Sequence, residues 1–475
     1  MCLGHRAYGS LWLGVLLAGL TGVAAPPSAV QGGDPIALHP QNPRYFVYEG
    51  RPRVLITSAE HYGAVLNLDF DFTRYLRTLQ ADRLSLTRVF SGAYVEPQGA
   101  FRIERNTLAP APGRLICPWA RSAVPGGPLG GNKFDLDRWD DAYFRRLREF
   151  VDMARQCGVI VEYTFFCPFY EDSQWKLSPQ HPANHLQPVG PQDRQHVYTL
   201  DRHAGLLAVH EALVRKVVSE LNDCDNVLWE LCNEPYFGGV TLEWQHRIAD
   251  VIVETEQRLP RRHLITQNVA NGKARVDQPH PAVSVFNFHY ATPPDAVPLN
   301  RHLNRVIGDN ETGFKGTGDA PYRREAWEFI LAGGALFNHL DYSFVAGQED
   351  GTFAYPATQP GGGNAGFRRQ LRVLHDFIHS FDLPALQPLD VAVRKGGGRA
   401  YGLGTTGRQY ALYYQTASAP AVLALDLPAG RYRLDWVNPL TGAVELPIDV
   451  EHAGGPYELV VPPTLSEVAV RIQVP

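Results

Sequence analysis

The stretch Asn226-Val-Leu-Trp-Glu-Leu-Cys-Asn233-Glu234-Pro235-Tyr-Phe237 decides how this chain is read. Val227, Leu228 and Trp229 form a short apolar run of the kind that makes a buried strand, and Pro235 stops it. Asn233 and Glu234 are then expected at the strand's carboxyl tip, opening into a loop, where a parallel barrel keeps its chemistry. Taken alone, Asn-Glu-Pro is equally well explained as a strand that ends in a turn, so the surrounding chain has to choose.

Working outward, seven more apolar runs end in polar or aromatic tips. Arg53 to Ile56 leads to Ser58-Ala-Glu60-His61-Tyr62, and Leu84 to Phe90 carries Arg88 near its end. Val159 to Phe166 is apolar apart from Glu162 and runs on to Tyr170 and Trp175. His263 to Thr266 is followed by Val283 to Phe288, tipped by His289 and Tyr290. Asn304 to Ile307 is tipped by Gly308-Asp309-Asn310-Glu311, and Ala335 to Leu340 by Asp341 and Tyr342. Between them, apolar residues recur at helical spacing over Phe72–Leu79, Trp139–Ala154, Leu206–Leu221, Glu243–Leu259, Tyr322–Leu331 and Phe367–Phe381. Gly158 supplies a stop after the second of these. Strands without clean alternation suit a parallel sheet covered on both faces. Eight such units predict an α/β fold, a (β/α)8 TIM barrel over residues 34–383. The crossovers after the fifth and sixth strands look short of helix. An open doubly wound sheet is the structural alternative, but the glycine-rich phosphate turn usual after its first strand is missing. The Pro- and Gly-rich insertion from Gly92 to Lys133 is expected to be functional or disordered.

From about Leu386 the period changes to short, closely spaced strands with turns at Asn438-Pro439 and Thr441-Gly442. Residues 385–475 are therefore expected to form a small C-terminal β-sandwich.

The totals set limits. The 475 residues are 44% hydrophobic and 20% charged, as in a soluble globular protein, and the formal net charge of -5 gives no reason to expect nucleic acid or an anionic membrane as partner. Met1 to Ala29 has Arg6 near its start and an apolar run from Leu11 to Ala25, and reads as an export signal. A secreted or periplasmic protein follows, free of the membrane once the signal is removed. Of the six cysteines, Cys117, Cys157, Cys167, Cys224 and Cys232 lie beyond that segment. An odd number leaves at least one thiol free. Cys157 with Cys224, and Cys167 with Cys232, are placed to face each other in neighbouring units, but buried free thiols are the simpler expectation. No spacing resembles a zinc site.

Hydrolysis of a glycosidic bond needs one carboxyl group to protonate the departing oxygen and a second to attack the anomeric carbon or activate water. Glu234 on strand four and Glu311 on strand seven meet that need from opposite sides of a barrel mouth. Asn233 is placed to hydrogen-bond a sugar hydroxyl. His289 and Tyr290 on strand six stand between the two carboxylates, and Arg88 on strand two is placed to hold one of them ionised. His61 is a further candidate contact with substrate. Each residue also has a plain structural reading: Arg88 as an ion-pair partner, His289 as a satisfied core histidine, Glu60 and His61 as a polar loop. Glu162, Asp309 and Asp341 are reserve carboxylates.

With Arg88, Asn233-Glu234-Pro235, His289-Tyr290 and Glu311 in this order, the chain from Arg53 to Asp382 resembles clan A of the glycoside hydrolases, family 5 above all. The resemblance implies a retaining enzyme on a (β/α)8 barrel, with Glu234 as general acid/base and Glu311 as nucleophile. It also implies a poly- or oligosaccharide substrate and no metal or organic cofactor. Tyr432-Arg-Leu-Asp-Trp-Val-Asn-Pro-Leu-Thr-Gly442 resembles the small sandwich that follows the barrel in apiosidase-like bacterial hydrolases. Two departures from family 5 stand out. Asp341, Tyr342 and Phe344 occupy the stretch where a Trp is common, and Gly308-Asp-Asn-Glu-Thr-Gly-Phe314 replaces the usual Glu-Phe-Gly. The competing expectations are a carbohydrate-binding or wall-associated protein on an inactive barrel, and a transglycosylase using the same residues.

Overall fold

The computed structural model describes residue 9 and residues 33–475, apart from 203, 446, 464 and 465. Apart from Gly9, the expected export signal lies outside the described residues. Among the described residues no helix is long and apolar enough to cross a membrane.

Eight parallel strands form the central sheet: β1 Leu55–Ala59, β2 Leu86–Phe90, β3 Ile160–Phe166, β4 Val227–Cys232, β5 Ile265–Asn271, β6 Val283–His289, β7 Val306–Thr312 and β8 Leu336–Leu340. Their order is β1-β8-β7-β6-β5-β4-β3-β2. The seam between β1 and β2 is closed by Ser85, whose N–H donates to the Ile56 carbonyl at 3.2 Å and whose Oγ accepts from the Ile56 N–H at 3.1 Å. The sheet is thus a TIM barrel.

Helices α1 Phe72–Asp82, α2 Asp141–Gln156, α3 Leu207–Leu221, α4 Leu242–Glu256, α5 Asp319–Leu331 and α6 Ala365–Ile378 cover it. Four of the six start at side-chain caps: Asp71, Asp140, Thr241 and Asn364 accept hydrogen bonds from first-turn N–H groups. In α2 the residues Tyr143, Phe144, Leu147, Phe150, Val151 and Ala154 are buried against the sheet, and the chain turns away at Gly158, with φ of 72°. The expected shortage of helix is real. No helix joins β5 to β6, and only Ala296–Leu299 and a 3-10 turn at Arg301–Leu303 lie between β6 and β7.

The barrel interior is where the residues depart from a simple apolar reading. Arg88, Glu162, Thr164, Glu230, Thr266, Asn268, Asn287, Asn310 and Asn338 are all buried. Glu162 accepts from Thr266 Oγ1 at 2.7 Å, Asn287 Nδ2 at 2.8 Å and Asn310 Nδ2 at 3.1 Å. Gly308 makes room for this layer, since a Cβ there would meet Asn287 Oδ1 at 2.1 Å. Glu162 is therefore part of a polar floor, and burial together with the nearby Glu230 charge pushes its pKa up to about 7.

The C-terminal part is all antiparallel. Strands β9 Ala392–Lys395, β12 Val422–Leu427 and β15 Gly455–Val460 make one sheet in the order β9-β12-β15. A short strand at Gln387–Pro388 joins β10 Ala400–Thr405, β11 Gln409–Gln415, β16 Glu467–Gln473, β13 Gly430–Val437 and β14 Ile448–His452 in the other. Leu412, Tyr414, Leu423, Leu425, Trp436 and Val470 fill the space between them. The sandwich is joined to the barrel at α5. Glu467 accepts from Arg323 at 2.7 and 3.0 Å, and Trp327 stacks on Tyr413 at 5.4 Å. All five described cysteines are free and buried, so neither conceivable pairing is made.

Candidate active site

The carboxyl ends of the strands surround a cavity of about 400 Å³. Glu234 and Glu311 both line it, and one oxygen of each lies within 4.8 Å of the other and of a ring nitrogen of His289. Asn233, His61 and Tyr290 also line the cavity.

Glu311 ends β7 with its charge met by fixed donors. Oε2 accepts from Arg88 Nη1 at 3.1 Å and from Tyr62 OH at 3.1 Å, while Oε1 accepts from Tyr290 OH at 3.0 Å. Arg88 is fully buried and does not line the cavity. Its Nε donates to Glu230 Oε2 at 2.7 Å and its Nη2 to Asn233 Oδ1 at 2.7 Å, and its guanidinium lies over the Tyr62 ring at 4.7 Å. One guanidinium thus ties Glu311 to the strand that carries Glu234.

Glu234 follows β4 with φ of 36°, and its N–H donates to Asn268 Oδ1 at 3.0 Å. Tyr170 OH donates to Oε2 at 2.5 Å, Tyr236 OH donates to Oε1 at 3.2 Å, and His289 Nδ1 is 3.2 Å from Oε1. Burial opposes the charge of Glu234, yet the hydrogen bonds from His289, Tyr170 and Tyr236 hold its carboxyl below the ordinary value. The same contact acts in reverse on His289. Burial disfavours its cation, but the charges of Glu311 and Glu234 raise its pKa above the ordinary value. Each partner of the pair thus favours the charged form of the other.

Tyr62, Glu234 and Tyr290 share an uncommon backbone. Their φ values of 66°, 36° and 53° are all left-handed, each just past the end of a barrel strand. Such residues cost of order 1–3 kcal/mol each and persist where surrounding structure holds them. Here the tips of β1, β4 and β6 turn sharply so that three side chains converge on one centre.

Other expected residues lie elsewhere. His289 has no exposed surface and sits beneath the carboxylates rather than in the cavity wall. Asp309 is buried away from the cavity, where it accepts from the Ala291 N–H at 3.3 Å. Asp341 pairs with Arg368 at 2.9 Å and accepts from Ser58 Oγ at 3.0 Å. Reading the sequence missed Glu230, Tyr62 and Tyr236 as site residues. The insertion, expected to be functional or disordered, is ordered and places Tyr94, Glu96, Phe101 and Leu108, none of them named from the sequence, in the cavity wall.

No family model matches the sequence, and no curated protein matches it. Solved structures do. A putative glycoside hydrolase from Bacteroides vulgatus aligns with a TM-score of 0.66 at 13% identity, covering 94% of this chain and 83% of that one. A second protein, described as a glycoside hydrolase, aligns with a TM-score of 0.62 at 11% identity over 93% and 97% of the two chains. A family 5 glycoside hydrolase from Bacteroides vulgatus gives 0.60 at 11% identity over 93% of each. The coverage takes in barrel and sandwich together. At these identities the likeness is one of fold, and that fold is the one the sequence resemblance implied.

Proposed function

We propose that this chain is an exported retaining glycoside hydrolase acting on a poly- or oligosaccharide, with Glu311 as nucleophile and Glu234 as general acid/base. The observation that carries the reading is the spacing and difference of the two carboxylates. An approach within 4.8 Å between one oxygen of each fits the ~5–5.5 Å separation of carboxyl groups used in double displacement better than the ~6.5–9.5 Å of inversion. Export rests on the leader-like segment Met1–Ala29.

In the first step Glu311 attacks the anomeric carbon, the bond to the leaving oxygen breaks, and Glu234 gives that oxygen a proton. Arg88, Tyr62 and Tyr290 hold the attacking carboxylate in place by hydrogen bonds. Glu234 draws the proton it delivers from the pair it forms with His289. In the second step water attacks the same carbon, Glu234 takes its proton, and Glu311 departs as a carboxylate. The charge of Glu311 is absent from the glycosyl-enzyme, which removes one of the two carboxylate charges that favour the imidazolium.

A divalent cation is the other occupant that Glu234, His289 and Glu311 bring to mind. The Arg88 guanidinium, 3.1 Å from Glu311, already supplies a fixed positive charge and opposes a second one. Steady-state hydrolysis of a panel of aryl glycosides tests both readings. Turnover that survives a chelator and is abolished in Glu311→Ala supports the proposal. Turnover that Glu311→Ala leaves intact, or that a chelator abolishes and a metal restores, contradicts it. A barrel that only binds sugar gives no turnover on any member of the panel.

A further inference from the structure

Phe101 stands in the middle of the barrel mouth. Its ring meets Tyr170, beyond β3, at 5.4 Å and Phe314, beyond β7, at 6.4 Å. β3 and β7 lie on opposite sides of the barrel, so the three rings form an arch across the opening. Phe101 and Phe314 line the catalytic cavity on one face and a separate outer hollow, with Gln98 and Glu171, on the other. They are the wall between two spaces that would otherwise be one groove.

The wall is built at some cost. Phe101, Arg102 and Arg105 have φ of 52°, 61° and 51°, left-handed values that L residues seldom adopt. The segment is fastened to the loop after β8. Arg105 Nη1 donates to Gln348 Oε1 at 2.7 Å and stacks over Phe353 at 5.2 Å, and the Glu104 N–H donates to Gln359 Oε1 at 3.2 Å.

A polar pair, His61 and Glu96, also lines the cavity, and the His61 ring stacks at 5.7 Å on Tyr62, which bonds Glu311. His61 is 8% exposed, and among the described residues neither ring nitrogen has a hydrogen-bond partner. Its Nε2 lies 3.7 Å from Glu96 Oε2, and Glu96 is held by Tyr94 OH at 2.9 Å and by Asn106. A sugar hydroxyl satisfies both groups, since it donates to the carboxylate and accepts from the imidazole. A glycosidic oxygen has no proton to give, and a site built for a hydroxyl rejects the analogue lacking it by about 10⁴–10⁵.

We propose that the loop from Pro97 to Arg105, with His61 and Glu96 behind it, makes this a blind pocket that takes the terminal sugar at the non-reducing end and releases it one unit at a time. The inference rests on the glycosidase reading above. It adds that the sugar transferred to Glu311 ends at His61 and Glu96, while the leaving group exits past Glu234.

The test uses 4-nitrophenyl monoglycosides to find the accepted sugar, then the linear polysaccharide of that sugar, with soluble products resolved by chromatography. The expected first product is the monosaccharide alone. In Phe101→Ala, checked for folding by circular dichroism, the ratio of internal cuts to aryl-monoglycoside cleavage rises about tenfold or more. Phe314→Ala opens the same wall from the other side and serves if Phe101→Ala fails to fold. A ladder of oligosaccharides as the wild type's first products overturns the blind pocket while leaving the glycosidase reading intact. So does an unchanged ratio in a folded wall variant. Absence of cleavage of every glycoside and polysaccharide overturns the glycosidase reading and this one with it.

Discussion

The two sides of the barrel mouth present the same chemical group in opposite ways. On the β7 side, Glu311 accepts hydrogen bonds from a permanent cation and two phenols, with His289 Nδ1 farther off at 3.6 Å. On the β4 side, Glu234 has no permanent cation but two phenols and, at 3.2 Å, the imidazole of His289, whose pKa the nearby carboxylates raise. A nucleophile must stay ionised, whereas an acid/base group must gain and lose a proton in every cycle. The difference in neighbours, more than the identity of the two glutamates, is what the proposed division of roles rests on.

Substitutions are therefore expected to differ in kind between the two sides. Glu311→Ala should lower kcat/KM by at least about 10⁴-fold for every leaving group, because the covalent route is lost whatever departs. Glu234→Ala should cost about 10²–10⁴-fold on unactivated substrates and far less on a 2,4-dinitrophenyl glycoside, which departs without a proton. Rates across a leaving-group series check both. Equal sensitivity to leaving group in the two variants would break the distinction.

Smaller effects sharpen it. Tyr62→Phe and Tyr290→Phe each remove one hydrogen bond to a charged oxygen of Glu311. A loss of ~1.5–3 kcal/mol corresponds to about 10- to 100-fold in kcat/KM. The smallest change is one of pH. On the proposed mechanism, activity needs a proton on the Glu234–His289 pair. That proton leaves as pH rises through the raised pKa of the imidazole, above its ordinary 6.5. His289→Gln keeps a donor but cannot carry the proton, so the basic limb of kcat/KM then belongs to the carboxyl of Glu234. It should move to lower pH by about one unit or more. A limb that stays in place would assign the proton elsewhere.

The parts of this arrangement that were legible in the sequence are those that end strands. Asn233-Glu234-Pro235, His289-Tyr290 and Glu311 announce themselves because each interrupts an apolar run with residues that seek solvent or ligand. The eight-unit barrel followed from the same runs, including the two crossovers without a full helix. Glu230 was hidden for the opposite reason. It lies within β4, where a charged residue reads as a blemish until Arg88 is seen beside it. Glu162 looked like a spare catalytic group and proved to be part of the floor, since a strand alone does not say which residues point into a closed barrel. Tyr62 and Tyr236 depend on backbone turns that no local pattern prescribes. Glu96 and Phe101 belong to an insertion with no periodicity, fixed by contacts to Asn106, Gln348 and Gln359 far from it in sequence or unremarkable within it.

The measurement that tests the central claim most directly is the mass of the intact protein after incubation with activated 2-deoxy-2-fluoro glycosides, followed by peptide mapping. The fluorine slows both steps and the good leaving group restores the first, so the covalent intermediate accumulates. A single glycosyl adduct on Glu311 is the predicted result. An adduct on Glu234 or Asp309, or hydrolysis by a protein that never carries an adduct and yields the inverted anomer, would contradict the assignment of Glu311 as nucleophile.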